Sequence, residues 1–226
     1  MRTARRNHPA RRAVAAACLL AVWAGGCQGP EQVAPIGYCL PRPQDLARMD
    51  RVVMVELSYD GRYHRLGEQM SRSLCRAIQD RQLFHVELVG RDDPRLDGLT
   101  EKLERCKTLK DLAMIQRALC CDAVIVGSVR HYEPYPRMQV SLYLQLLDLK
   151  QGRLVWGLEH TWDTSDRGTE ARIRRHFRRR VREGYDPLDW HLTTISPRFF
   201  RKYVACEVAE TLEPGPPPPQ GGGPPA

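Results

Sequence analysis

The sequence LKDLAMIQRALCCDAVIVGSV, residues 109–129, contains the change of pattern that decides the fold. In its first half, Leu112, Ile115 and Leu119 recur at the spacing of one face of an α-helix. The second half, 123–129, is short, almost entirely apolar and rich in β-branched residues, which is typical of a strand covered on both faces. The stretch therefore predicts a helix followed directly by a buried strand.

Two half-buried strands are predicted after this buried strand. The prolines of Glu133–Pro136 interrupt the chain, and apolar and polar residues then alternate strictly from Met138 to Leu146. A turn at 150–152 leads into a third strand, in which one face holds Leu154, Trp156, Leu158, His160 and Trp162. We expect the core to contain Val124, Val126, Leu142, Leu144 and Trp156.

Further strands and helices surround this centre. Apolar spacing predicts strands at 52–57 and 84–89 and helices at 66–81, 168–183 and 198–212. The last helix has a predicted inner face of Phe199, Tyr203, Cys206 and Ala209. The order is β-α-β-α-β-β-β-α-α, so the predicted fold is α/β (α+β), with a single mixed β-sheet flanked by helices.

The amino-terminal sequence has the features of an export signal. Five arginines precede an apolar run of 12 residues, 13–24, which is too short to span a bilayer. Ala24-Gly25-Gly26-Cys27 resembles the lipobox of bacterial lipoproteins, with Ala24 where leucine is commoner. The resemblance implies that the signal peptide, residues 1–26, is cleaved off and that Cys27 is lipidated, for example with palmitate. The alternative is an ordinary signal peptide in which Cys27 has no special role.

Composition divides the remaining chain into three parts. Prolines and few large apolar residues predict a tether at 27–48, and the globular domain follows at 49–212. The Pro/Gly-rich segment 213–226 cannot pack a core and is predicted to be a disordered tail. Gln28 follows Cys27 in place of aspartate, which favours sorting to the outer membrane with the domain facing the periplasm.

The net charge of +8 falls to +3 once the five arginines of the signal are removed. A balance so close to neutral does not indicate a nucleic-acid partner. The residual charge is uneven, because 167–182 contains eight arginines and a single acid, Glu170.

If this segment is helical, it packs by a narrow stripe of Ile173, Phe177 and Val181. The candidate partner-binding residues on its exposed basic face are Arg174, Arg175, Arg178 and Arg179. Such a face is a solvated surface, a contact for anionic lipid headgroups, or a contact for an acidic protein or polymer.

Two segments resemble a known family. Residues 121–129 are similar to a "Gly-Ala-Asp … Gly-Ser-Val" segment, with Cys120 and Cys121 in place of the usual Gly-Ala, and 146–156 is similar to the hairpin that follows it. Both occur in bacterial envelope lipoproteins that include the curli secretion protein CsgG, the peptidoglycan-synthase activator LpoB and the amino-terminal domain of TolB. The resemblance covers about residues 50–165 and implies a domain that binds and assembles and does not catalyse.

Catalytic motifs and metal-ligand spacings are missing from the mature sequence, so we predict no enzyme, no cofactor and no metal site. Its six cysteines beyond Cys27 leave up to three disulfides open. The leading hypothesis is a lipid-anchored envelope protein that acts as a non-enzymatic adaptor in the periplasm. The alternatives are a subunit of a CsgG-like secretion complex and a periplasmic hydrolase. The predicted partners are the membrane, which the anchor contacts, and an envelope protein or an anionic polymer or lipid. The sequence does not decide whether the chain forms an oligomer.

Overall fold

The computed structural model describes residues 36–40, 43–99, 109–182 and 190–213, which belong to one compact unit. The predicted signal peptide, the predicted lipidation site Cys27 and most of the predicted tail lie outside these ranges. The strands are β1 Tyr38–Cys39, β2 Arg51–Val55, β3 His85–Val89, β4 Ala123–Glu133, β5 Gln139–Asp148 and β6 Arg153–Asp163. The α-helices are α1 Leu66–Gln79, α2 Leu109–Leu119, α3 Arg167–Arg182, α4 His191–Ile195 and α5 Pro197–Glu210.

The six strands form one mixed sheet in the order β1-β6-β5-β4-β2-β3. Strand β2 runs parallel to both β3 and β4, whereas β4, β5, β6 and β1 pair antiparallel in succession. This confirms the predicted fold class and element order, to which the structure adds the two-residue β1 and the short α4. Among the described residues, no helix is both long enough and apolar enough to cross a bilayer.

Helices cover the two faces of the sheet unequally. On one face, α1, α3 and α5 pack through side chains that include Met70, Leu74, Ile173, Phe200 and Val204. On the other face, α2 packs through Ile115 and Leu119 against Val53, Val124 and Val126. Residues 123–126 alternate between the two clusters, which explains why this strand is apolar on both sides.

The five predicted core residues are all buried. The prediction for Leu154 was wrong, because β6 gains one residue against β5 between the pairs Leu146–Trp156 and Leu147–Leu154. This bulge turns Leu154 away from the helices, leaving it 40% exposed, and Val155 is buried instead.

The predicted inner face of α5 was also partly wrong. Phe199 and Cys206 are only half-buried, and the helix buries Phe200 and Val204 beside Tyr203 and Ala209.

Part of the segment predicted as a tether has regular structure. Tyr38 and Cys39 pair with Leu158 and Gly157 of β6, and a short 3-10 helix spans Pro43–Arg48. Leu46 at its centre is buried in the main core. The chain therefore enters the domain at the β6 edge of the sheet.

Asp122, the acidic residue of the family-like segment, has a structural role. Its carboxylate accepts hydrogen bonds from the backbone N–H groups of Asp50 and Arg51, each at 3.2 Å, and pairs with Lys150 Nζ at 2.6 Å. The hydrogen bond from Lys150 is the main reason that the pKa of Asp122 lies below its usual value. Asp122 thereby joins the starts of β2 and β4 to the β5–β6 turn.

Gly127 lies where β4 pairs with β5 so closely that only glycine fits. A Cβ at this position would overlap the carbonyl oxygen of Tyr143 and the side chain of Leu144. By contrast, a Cβ at Gly157 of β6 would meet Leu154 at 3.6 Å, an ordinary contact. Alanine at Gly157 is therefore a control for alanine at Gly127. The difference between the two variants isolates the steric clash from the general effect of adding a methyl group.

We predict that Gly127→Ala destabilises the domain by about 3 kcal/mol or more, because the backbone of β5 would have to move. Gly157→Ala should change the free energy of unfolding by less than about 1 kcal/mol. Urea unfolding followed by circular dichroism measures both values. Equal stabilities for the two variants would contradict the β4–β5 register.

Candidate binding face on helix α3

The turn before α3 determines where the helix starts. Asp166 Oδ2 accepts hydrogen bonds from the Thr169 backbone N–H at 2.8 Å and from Thr169 Oγ1 at 3.0 Å, as an N-cap residue does. These bonds, led by the one from the backbone, lower the pKa of Asp166. With the start defined in this way, Ile173 points into the core and is fully buried.

One arginine of the basic helix is buried. Arg172 Nε lies 3.2 Å from Glu207 Oε1 of α5, and the two side chains are only 10% and 8% exposed. Arg172 also donates to Thr169 Oγ1 at 3.1 Å. Glu207 accepts a second hydrogen bond, from Trp162 Nε1 at 2.7 Å. The pair therefore joins α3 to α5 and, through Trp162, to β6.

Burial shifts the titration of the groups around this pair. Burial raises the pKa of Glu207, although the Trp162 hydrogen bond and the charge of Arg172 oppose the shift. The Tyr203 hydroxyl is buried beside both groups without an aligned hydrogen bond to any described atom, and burial raises its pKa as well. The side chains of Glu207 and Tyr203 are thus almost fully removed from solvent.

His160 completes the buried cluster. Its Nε2 lies 3.4 Å from an Arg172 terminal nitrogen, and its ring meets Trp162 edge-on. Burial, followed by the charge of Arg172, lowers the pKa of His160, so the ring is neutral at pH 7 and Nε2 accepts from the guanidinium. His131 pairs with Ser141 and lies on the face of the sheet opposite to His160, which pairs with Leu142.

The four arginines of the predicted binding face are all exposed, yet they differ in their contacts. Arg174 pairs with Glu170 at 2.6 Å, and its guanidinium lies 4.3 Å above the centre of the Trp190 ring. Arg175, Arg178 and Arg179 form no ion pair with any carboxylate in the part of the chain that the structure describes. These three, spaced i, i+3 and i+4, share one side of α3.

A cavity of about 250 Å³ lies beside these arginines. Helix α3 contributes Arg172, Arg175, His176 and Arg179, the end of α5 contributes Glu207, Glu210 and Thr211, and the entering chain contributes Ile36 and Tyr38. Glu207 is paired with Arg172, and Glu210 with Arg81 at 3.1 Å. Within the described ranges, therefore, no carboxylate compensates the positive charges of Arg175 and Arg179 at this cavity.

The sequence did not predict that Arg172, Glu207 and the chain-entry residues belong to this region. Arg172 is one of eight similar residues in its segment, and only packing singles it out. Glu207 did carry a signal, since it stands alone between Val204 and Val208 on an apolar helix face. A lone acid at such a position indicates a buried partner. Within the described ranges, no group of three metal-ligating side chains is present.

The cysteines do not alter this arrangement. No disulfide joins two of the five cysteines within the described residues, 39, 75, 120, 121 and 206. Cys121 is buried between α2 and β4, and burial raises its pKa to about 11, which leaves it a thiol at neutral pH.

No protein-family model and no curated protein matches the chain. Solved structures resemble it in fold. The PelC dodecamer from Paraburkholderia phytofirmans has 17% identity over 57% of this chain and 79% of PelC, with a TM-score of 0.41. The lipoprotein GNA1162 from Neisseria meningitidis has 14% identity over 59% of this chain and 99% of its own, with a TM-score of 0.42.

The carboxy-terminal domain of LpoB from Salmonella enterica has 14% identity over 54% of this chain and 92% of its own, with a TM-score of 0.35. LpoB, which the sequence analysis named, is thus among the solved structures that the chain resembles in fold. The similarity to CsgG and TolB stays a prediction from sequence. Likenesses of this strength carry no information about what the present chain binds.

We predict that Arg172→Gln destabilises the domain by about 3–5 kcal/mol, because it leaves Glu207 buried without its charge partner. Arg175→Gln removes the same charge from an exposed position and should change stability by less than about 0.5 kcal/mol. The double variant Arg172→Met, Glu207→Met should recover part of the loss. Thermal unfolding compares the three proteins, and equal unfolding of the two single variants would refute the structural role of Arg172.

Proposed function

We propose that this chain is a lipid-anchored protein of the bacterial envelope, held in the outer membrane with its domain in the periplasm. It acts as a non-enzymatic adaptor that binds an anionic partner through the exposed face of α3. The observation that carries the proposal is a set of three exposed arginines beside a cavity, Arg175, Arg178 and Arg179, which have no carboxylate partner among the described residues.

The rigidity of α3 supports a binding role. The helix is held by the Arg172–Glu207 pair and by Ile173 in the core, so its outer arginines project from a scaffold that does not have to be ordered on binding. Pre-organisation lowers the entropy cost of association. Several like charges on one rigid face also add their fields, which steers an acidic partner towards it.

The buried cluster beneath α3 supports binding over catalysis. Glu207 is engaged by Arg172 and Trp162, and His160 is engaged by Arg172. A general acid or base has to reach a substrate proton. Glu207, which borders the cavity, is instead already engaged by Arg172 and Trp162, and these contacts hold α3, α5 and β6 together.

Lipid anchoring rests on the lipobox-like Ala24-Gly25-Gly26-Cys27 at the end of a short apolar run. Each buried CH₂ of an acyl chain contributes about 0.8 kcal/mol to membrane binding, and two or more chains hold a protein stably. The export signal and the identity of Gln28 favour the outer membrane and the periplasmic side.

We expect Cys27→Ser to abolish the incorporation of labelled palmitate and to move the protein from the membrane fraction to the soluble fraction. The matched control is Cys18→Ser, which changes a cysteine inside the apolar run of the signal and should keep the label. Palmitate incorporation into the Cys27→Ser protein would show that the lipobox interpretation is wrong.

We further predict that Arg174→Gln, Arg175→Gln, Arg178→Gln and Arg179→Gln together reduce association with isolated envelopes at least ten-fold at low salt. Stability should fall by no more than about 1 kcal/mol, since exposed charges contribute little to folding. The wild-type association should weaken at high salt, because exposed charges are screened over about 8 Å at physiological ionic strength.

A control with the same net charge replaces four exposed arginines elsewhere, Arg48, Arg62, Arg76 and Arg117, by glutamine. Pull-down from envelopes at low and high salt measures all three proteins. If the α3 variant associates as wild type does at both salts, the arginine face is only a solvated surface.

A further inference from the structure

We propose that the cavity beside α3 binds the phosphate groups of anionic phospholipids in the membrane that holds the chain, which rests on the proposed function of a lipid-anchored protein with a binding face on α3. The domain would then lie with this side against the bilayer. Three features carry the inference: where the chain enters the domain, which charges stay uncompensated at the cavity, and which side chains form its rim.

The point of chain entry directs this side of the domain towards the membrane. Ile36 and Tyr38 line the same cavity as Arg175 and Arg179. Ile36 is nine positions after Cys27, so even a fully extended chain between them spans only about 30 Å. A domain of this size is about 40 Å across. With a link shorter than the domain is wide, the side where the chain enters is the one nearest the lipid anchor.

The charge of the cavity suits a phosphate monoanion. Arg172 and Arg81 engage the two glutamates of the lining, Glu207 and Glu210, so no carboxylate in the described part of the chain compensates Arg175 and Arg179. Guanidinium groups match the geometry of phosphate oxygens and bind them through paired hydrogen bonds. Arg178, exposed on the same side of α3, adds a third charge that faces the membrane surface in this orientation.

The rim of the cavity suits a membrane interface. Tyr38 is 43% exposed and is the one large, strongly exposed hydrophobic side chain among the lining residues that the structure describes. Tyrosine is enriched at membrane–water interfaces, where its ring lies at the level of the headgroups. A stable protein interface instead needs a larger apolar centre than one tyrosine provides. These observations favour a lipid surface over an acidic protein.

The test uses the mature chain, residues 27–226, carrying Cys27→Ser so that acylation does not mask the contact. Sedimentation with vesicles of phosphatidylcholine containing phosphatidylglycerol should show binding at low salt, and pure phosphatidylcholine vesicles should bind at least ten-fold more weakly. Each basic residue near an anionic surface contributes a factor of about five, so Arg175→Gln, Arg178→Gln and Arg179→Gln together should weaken binding by about 100-fold.

The matched control is Arg48→Gln, Arg76→Gln and Arg117→Gln, which removes the same charge from other exposed positions. It should bind within about three-fold of the Cys27→Ser parent, because these arginines lie outside the cavity lining. Equal losses in the two triple variants would mean that net charge alone drives association, and they would overturn the assignment of the cavity. Equal binding of both vesicle types would overturn it as well.

Two further measurements distinguish phospholipid from the other possible ligands. Inorganic phosphate should displace the protein from vesicles no better than chloride of equal ionic strength. Specific displacement by phosphate would assign the cavity to the free anion and overturn the lipid assignment. If the parent fails to bind phosphatidylglycerol vesicles while arginine-dependent pull-down from envelopes persists, the lipid assignment is wrong and the proposed function stands.

Discussion

The buried ion pair between Arg172 and Glu207 is the contact on which the arrangement of the carboxy-terminal half depends. It joins α3 to α5, and Trp162 and His160 connect it to β6. Removing two charges from water costs several kcal/mol per ion, which is offset only when the remaining hydrogen-bonding groups are also satisfied. Here Thr169 and His160 engage the guanidinium while Trp162 engages the carboxylate, and these partners hold α3 in a single orientation.

That orientation separates the arginines of α3 into two roles. Arg172 points inward and stabilises the fold, whereas Arg175, Arg178 and Arg179 point outward and keep their charge available. A helix so rich in arginine has only a narrow apolar stripe with which to pack. The inward ion pair adds a specific contact to that stripe. The rotation of α3 that buries Arg172 is therefore also the rotation that exposes the binding face.

Much of the fold could be predicted because alternation and helical spacing are properties of neighbouring residues. The segment 123–129 and the alternation from Met138 to Leu146 identify the central strands directly. The bulge at Leu147 and the exact phase of α5 could not be foreseen, since one extra residue in β6 changes which side chains face inward without changing the composition of the strand. Leu154 was misplaced for this reason, whereas Phe199 was misplaced because the apolar residues at 199, 200, 203 and 204 fit more than one rotation of the helix.

The sequence by itself determined the order of elements, the central core and the presence of a helix dense in arginine, because local periodicity and composition encode each of these. Only the tertiary structure decided which arginine is buried, that Ile36 and Tyr38 meet α3 at one cavity, and that Asp122 joins β2 and β4 to the β5–β6 turn. Those features are contacts between residues far apart in the chain. Their geometry depends on how sheet and helices pack together, which no local pattern of residues specifies.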